Sequence, residues 1–378
     1  MEMRGVFSLL IASSAVWLTS YYCRPDPPVP TNNKLILSWE PHYGDYSFSF
    51  GHGTPEDFKK AGCKYTNCEI IKRRWLYPLQ RIDAFLFHGY EDYEILFGTP
   101  RVRFDHQIYI FYCFESVRQS YIAERRRDFF NMTFTYRLDS DIAWPYFGVY
   151  DAETEELVAP SFNPQWISTM VLKGSKVQQD IDALIASKTH TAAWLVSNCH
   201  SVSGREEYVK KLQELGIDVH IYGACGTYKC PFSENCKKII SKYYFYIAFE
   251  NSLCEDYVTE KTITAFESGS VPAVLSGANL TRFLPPNSYL DARELGPVEL
   301  AKEMKRLMAD KKSYAEKLYW RQRYKVAKYT YLTEKTGHHP FCSVCEAVNT
   351  GKVITKRNKE VLDWWHSSQT GDGGSCLM

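Results

Sequence analysis

The apolar run Tyr243-Tyr244-Phe245-Tyr246-Ile247-Ala248-Phe249 passes directly into Glu250-Asn251-Ser252, and a few residues on stand Tyr257-Val258-Thr259-Glu260-Lys261. Aromatic and β-branched character without a polar interruption reads as a strand over Tyr243–Phe249 buried on both faces, as in a parallel sheet. Thr259 is an N-cap candidate for a helix ending at Gly269, and Val271–Leu275 reads as the next strand. That strand–loop–helix–strand unit constrains the chain to an α/β fold, which places ligands beyond the carboxyl ends of its strands. A strand that ends in a carboxylate, an amide and a hydroxyl can hydrogen-bond a sugar or ribose, although ordinary strand exits carry the same residues. The helix start offers unpaired N–H groups and a positive dipole end to an anionic phosphate, and Lys261 adds a full charge. A routine capped helix is the plainer reading of that helix start alone. The closeness of Glu250 and Asn251 to Tyr257, Glu260 and Lys261 favours a site.

The same alternation recurs through the chain. Lys34–Trp39, Ala84–His88 and Gln107–Phe114 read as strands of a first α/β domain. Asp151–Pro164, acidic and then rich in Pro and Asn, reads as a linker. A second domain follows, with strands at Ala192–Ser197 and Ile217–Tyr222. Between them Ser203 would cap a helix from Gly204 to Leu215, with Gly216 as its stop. Glu299–Trp320 and the basic stretch after it read as helical. Arg205, at the start of the helix after Ala192–Ser197, could clamp phosphate bidentately or simply lie on the surface. Glu115 follows a strand and could act as a general base if it faces a cleft, although spacing alone favours a solvated glutamate. Asp139-Ser140-Asp141 has the look of a metal-binding acidic triplet but lies far in sequence from the phosphate-ready helix, so a structural role is favoured.

Location is read from the N-terminus and the cysteines. Arg4 precedes an apolar run that continues to Tyr22, and a Pro-rich stem at 23–33 follows. Trp17, Tyr21 and Tyr22 stand where a signal peptidase would need small residues, which favours a retained signal-anchor at 6–22 behind a cytoplasmic tail at 1–5. The run is short, as thin early-secretory membranes tolerate. Twelve cysteines and the sequons at Asn131 and Asn279 agree with a lumenal compartment. Cys63, Cys68, Cys342 and Cys345 could form a zinc site or, in an oxidising lumen, two disulfides that join the far ends of the chain. Cys225, Cys230 and Cys236 leave room for one further bridge. The net charge of +1 argues against a dedicated nucleic-acid binder. Cys376 is third from the end, so the terminus is not a prenylation box.

Together, Tyr243 to Ser252, Asp256 to Lys261, Ala265-Phe266, Gly269 to Pro272 and Phe283 to Pro286 resemble the signature of the α1,3-fucosyltransferases. Phe129 to Ile142 resembles the family's second long motif, glycosylation site included. The resemblance implies two facing Rossmann-like domains of the GT-B type behind a signal-anchor: an acceptor-side domain at 34–160, a GDP-fucose-binding domain at 161–346 and a tail at 347–378. It implies inverting transfer of L-fucose from GDP-β-L-fucose to the 3-hydroxyl of a GlcNAc, in a single-pass type II Golgi membrane enzyme. Glu115 matches the family's general base. Arg205, Glu250, Asn251, Tyr257, Glu260 and Lys261 match its donor-binding residues. No metal or cofactor is implied as a requirement, a divalent cation being at most stimulatory, and the four terminal cysteines correspond to disulfides.

Two departures concern the acceptor. Vertebrate members usually carry Ser-Pro after the base, where this chain has Ser116-Val117. Phe87-His88-Gly89 stands where members tend to have His-His-Trp. The acceptor, an N-glycan core or antennary LacNAc or LacdiNAc on a glycoprotein, is therefore not copied from familiar members. A catalytically silent glycan-binding relative is the competing reading, and the presence of every matched donor residue argues against it.

Overall fold

The computed structural model describes residues 32–39, 50–89, 98–120, 122, 124–168, 175–230, 234–328, 339–351, 361–366 and 376. The expected anchor at 6–22 lies outside them. Among the described residues, no helix is long and apolar enough to cross a membrane.

The first half forms β1 (Lys34–Ser38), β2 (Cys68–Ile71), β3 (Ala84–His88), β4 (Ile108–Cys113), β5 (Met132–Thr135) and β6 (Ile142–Ala143). They pair in parallel in the order β2-β1-β3-β4-β5-β6. Successive side chains of a strand point to opposite faces. Ile36, Leu86, Ile110 and Phe134 therefore pack on one side with Phe58 and Phe341. Leu35, Phe85, Tyr109 and Phe111 pack on the other with Trp365. Both faces are covered, which is why β3 and β4 are apolar throughout.

Much of that cover comes from the far end of the chain. Helix Pro340–Thr350 buries Phe341, Val344 and Val348 on one face. Helix Val361–His366 buries Leu362, Trp364 and Trp365 on the other. Cys63–Cys342 and Cys68–Cys345 disulfides fasten the return. The expected division, with a second domain to 346 and a tail beyond, does not follow this packing: the chain re-enters its first domain before 346, because a parallel sheet needs both faces covered.

Two short strands, β7 (Phe147–Asp151) and β8 (Leu157–Ala159), follow the first sheet. The span expected as a linker thus contains β8. The second half then forms β9 (His190–Leu195), β10 (Val219–Tyr222), β11 (Tyr243–Phe249), β12 (Val271–Leu275) and β13 (Leu290–Asp291). These pair in parallel in the order β10-β9-β11-β12-β13. The central place of β11 explains its unbroken apolar run. Helices Arg205–Glu214 and Ala292–Ala309 cover one face, and helix Glu260–Ser268 covers the other.

The basic stretch after Trp320 is a strand, β14 (Tyr324–Lys328), antiparallel to β7, which also pairs with β8. Tyr-Lys-Val-Ala-Lys has a partly alternating pattern that fits a strand, and Tyr324 and Val326 reach the core beneath helix Glu260–Ser268. The molecule is α/β with two parallel sheets, joined by this small antiparallel one.

Candidate active site

The segments beyond β4 and β11 meet. β4 ends at Cys113, and Glu115 follows it, half-buried. The loop after β11 turns back toward it. Tyr257 donates its phenol hydrogen to Glu115 Oε2 at 3.0 Å. Beside this contact the Ser116 hydroxyl donates to Ser252 Oγ at 2.8 Å, and the Leu138 amide donates to Asp256 Oδ2 at 3.1 Å. Three hydrogen bonds thus tie the segments Glu115–Ser116 and Leu138 to the loop Ser252–Tyr257.

Several local features hold that loop. Asp256 takes a left-handed backbone at φ 57°, and the Tyr257 amide donates to the Cys254 carbonyl at 3.2 Å. Ser276, just past β12, donates to the Tyr257 carbonyl at 2.7 Å. Gly277 passes so close that a Cβ there would lie 2.4 Å from the Leu253 carbonyl carbon. Burial, followed by Tyr146 and the Glu115 carboxylate, pushes the Tyr257 phenol well above the ordinary tyrosine range. Burial and Glu115 do the same to Tyr146, whose hydroxyl donates to the Phe114 carbonyl. Both phenols remain proton donors at any physiological pH.

Glu250 follows β11 directly and is fully buried. Its carboxylate accepts the Thr259 amide at 2.8 Å and the Thr259 hydroxyl at 2.8 and 2.9 Å, and pairs with Lys261 Nζ at 3.0 Å. Thr259 is thus the N-cap residue of helix Glu260–Ser268, but its side chain serves Glu250. Burial raises the Glu250 pKa, and the neighbouring Lys261 only partly opposes it. Burial works against the Lys261 ammonium, but Glu250 and Glu260 outweigh it and hold that pKa above the usual lysine value. Glu260 lies 3.1 Å from Lys261; burial raises its pKa, but Lys261 prevails and the net direction is down.

Arg205 is buried beneath the same strand end. Its guanidinium donates to the Phe249 carbonyl at 3.1 Å and the Asn198 carbonyl at 2.7 Å. Gly204 is the N-cap of its helix, at φ 69°, in place of the expected Ser203, whose hydroxyl instead meets Ser201 Oγ at 2.9 Å. Asn251 Oδ1 and Thr262 Oγ1 are buried without a hydrogen-bond partner among the described residues. Buried polar atoms are normally paired, so two orphans beside Glu250 and the helix start are what a polar ligand would satisfy.

The acidic triplet has separate structural partners. Asp139 takes a fork from Arg137, at 3.0 Å on each oxygen, and the Trp364 indole at 2.9 Å. Asp141 accepts the Thr133 amide and hydroxyl, each at 2.8 Å. His88 is 3% exposed at the end of β3, its ring beside Tyr112, so it sits in the core. The two sequons differ: Asn131 is half-buried and accepts the Tyr109 amide at 2.7 Å, whereas Asn279 is exposed. Cys225 pairs with Cys199 and Cys230 with Cys236, one bridge more than expected there. Cys254 pairs with Cys376, which spacing did not suggest. The Ser252 hydroxyl, expected as a sugar or ribose contact, instead accepts from Ser116. Ser116 and Tyr146 were missed as site residues, and nothing in the sequence marks Tyr146.

The family model for glycosyltransferase family 10 (fucosyltransferase), C-terminal part, matches residues 185–364, and that for the fucosyltransferase N-terminal part matches 31–147. The chain belongs to the family 10 fucosyltransferases. Alpha-(1,3)-fucosyltransferase C of Drosophila melanogaster is 35% identical over 347 residues, covering 89% of this chain and 79% of the relative. Alpha-(1,3)-fucosyltransferase fut-1 of Caenorhabditis elegans is 32% identical, covering 89% and 69%. A solved α1,3-fucosyltransferase structure with GDP-fucose aligns at 17% identity with a TM-score of 0.48, covering 79% of this chain and 83% of its own. The chain is thus a glycosyltransferase of the α1,3-fucosyltransferase family, as the sequence resemblance implied. Its two family segments bracket the contact between Glu115 and Tyr257.

Proposed function

We propose that this fucosyltransferase transfers L-fucose from GDP-β-L-fucose to the 3-hydroxyl of a GlcNAc residue in glycoprotein glycans, with inversion and with Glu115 as general base. The observation that carries the reading is the Tyr257–Glu115 hydrogen bond, which sets the acceptor-side carboxylate against the loop of the donor signature. In one displacement, Glu115 takes the acceptor hydroxyl proton while that oxygen bonds to the fucose anomeric carbon. The bond from that carbon to the β-phosphate oxygen breaks, and GDP leaves with the electron pair.

Lys261, Arg205 and the N-terminus of helix Glu260–Ser268 stabilise the diphosphate charge as it grows. Asn251, with its orphaned Oδ1, accepts a hydroxyl from the bound donor. Glu250 keeps the Lys261 ammonium fixed at the helix start, and Glu260 adds negative charge on its open side. The disulfides support an oxidising compartment, in keeping with a Golgi enzyme held by residues 6–22.

The test is turnover of GDP-fucose with defined N-glycans, the products read by mass spectrometry and linkage analysis. An α1,3-fucosylated GlcNAc in the core or on an antenna is expected. Donor binding without product on any glycan would instead favour a silent glycan-binding relative.

A further inference from the structure

The helix Val361–His366 and Cys376 lie far along the chain from Glu115, yet their contacts converge on it from two sides. On one side is a chain of rings. Trp365, fully buried, packs edge-on against Tyr136 with centroids 6.2 Å apart, and Tyr136 packs against Tyr257 at 5.0 Å. Tyr257 holds Glu115. On the other side is a chain of hydrogen bonds. The Trp365 indole N–H donates to Ser120 Oγ at 3.2 Å, and the Ser120 hydroxyl donates to the Ser116 carbonyl at 3.0 Å, one residue past Glu115. The Cys254–Cys376 disulfide and the antiparallel bridge between these residues fasten the same C-terminal segment to the Tyr257 loop. Cys254 is fully buried, and its carbonyl accepts the Tyr257 amide.

We propose that Trp365 and Cys376 are positioning residues for the catalytic base, acting through Tyr257 and through Ser120. The proposal rests on Glu115 being that base. A stretch with no chemistry of its own sets the orientation of the carboxylate, because it grips both the residue that bonds Glu115 and the backbone next to it. The hydrogen bond from Tyr257 fixes the direction of the carboxylate. Loosening the strap therefore misaligns the base and lowers kcat while donor binding is kept.

The full lumenal chain is compared with Trp365→Phe, which keeps a ring and loses the N–H, with Ser120→Ala, and with the pair Cys254→Ser/Cys376→Ser. For each, kcat, the acceptor KM and GDP affinity are measured. The proposal expects kcat to fall about tenfold, less than for loss of a general base, with the acceptor KM and GDP affinity within about twofold. Combined with Tyr257→Phe, the cysteine pair adds no further loss.

Unchanged kcat in Trp365→Phe and Ser120→Ala would overturn it, as would full additivity of the cysteine pair with Tyr257→Phe. If the cysteine pair fails to fold, the two single hydrogen-bond variants decide. Glu115→Gln separates the two levels. Retained turnover there sinks the base assignment, while lost turnover with inert Trp365→Phe and Ser120→Ala sinks only the strap.

Discussion

The segments after β11 and β4 each present a carboxylate to the same junction, and they support it in opposite ways. Glu250 follows its strand without a gap, is fully buried, and takes its partners from Thr259 and Lys261 in its own half. Glu115 stands beyond β4, half-buried, and is bonded by Tyr257 from the other half. The proposed donor end is organised by its own short strand–loop–helix unit. Glu115, the proposed base, depends on how the two halves meet. A phosphate-binding charge gains from a rigid local frame, whereas a base must be set against whatever donor geometry the other half provides.

The largest effect should come from Glu115, the proposed base. Glu115→Gln keeps the size and a hydrogen-bond acceptor, so Tyr257 retains a partner, but it removes the proton sink. It should cost about 10²–10⁴-fold in kcat with GDP affinity retained, measured by steady-state kinetics and calorimetry.

The donor end should break differently. Lys261→Ala leaves the Glu250 carboxylate buried without its cation and should cost about 3–5 kcal/mol of stability, read by denaturant melts, together with loss of GDP binding. Glu250→Gln/Lys261→Met should recover most of that stability and none of the GDP affinity. Recovery of both would mean that Lys261 serves the fold alone.

A smaller effect bears on the loop between them. Burial raises the Asp256 carboxyl to about 6 from an ordinary 3.8. Its folded pKa lies above its unfolded one, so its contribution to stability is complete below the unfolded value and is lost as pH rises through about 6. Asp256→Asn tolerates the left-handed backbone and keeps an acceptor for Leu138. Its melting temperature relative to the wild type should therefore rise between pH 4 and pH 7, by an amount equivalent to about 2 kcal/mol.

The contrast between the two ends also explains what the sequence could reveal. β3, β11 and β12 were legible to the residue, because buried parallel strands leave unbroken runs of aromatic and β-branched residues. Helix Glu260–Ser268 was legible from Thr259 before it and Gly269 after it, the latter at φ 71°. The expected donor residues other than Arg205 lie within one short window, and the structure brings Glu250, Thr259 and Lys261 into contact there.

β8 and β14 were not legible, since three-residue and mixed polar strands owe their form to pairing with β7. The junction was not legible either. Tyr257 and Glu115 are 142 residues apart, and the Trp365 indole and Ser120 are 245 apart. Only packing brings such pairs together. Cys376 likewise found Cys254 across 122 residues, where spacing offers no guide.

The central claim is that the base on one half is held by the other. A double-mutant cycle on Glu115 and Tyr257 tests it most directly, with kcat measured for Tyr257→Phe in the wild-type and Glu115→Gln backgrounds. The account predicts a loss of about tenfold in the wild-type background and almost none in Glu115→Gln, because the carboxylate that Tyr257 orients is already gone. Equal losses in both backgrounds would show that Tyr257 acts independently of Glu115 and would contradict it.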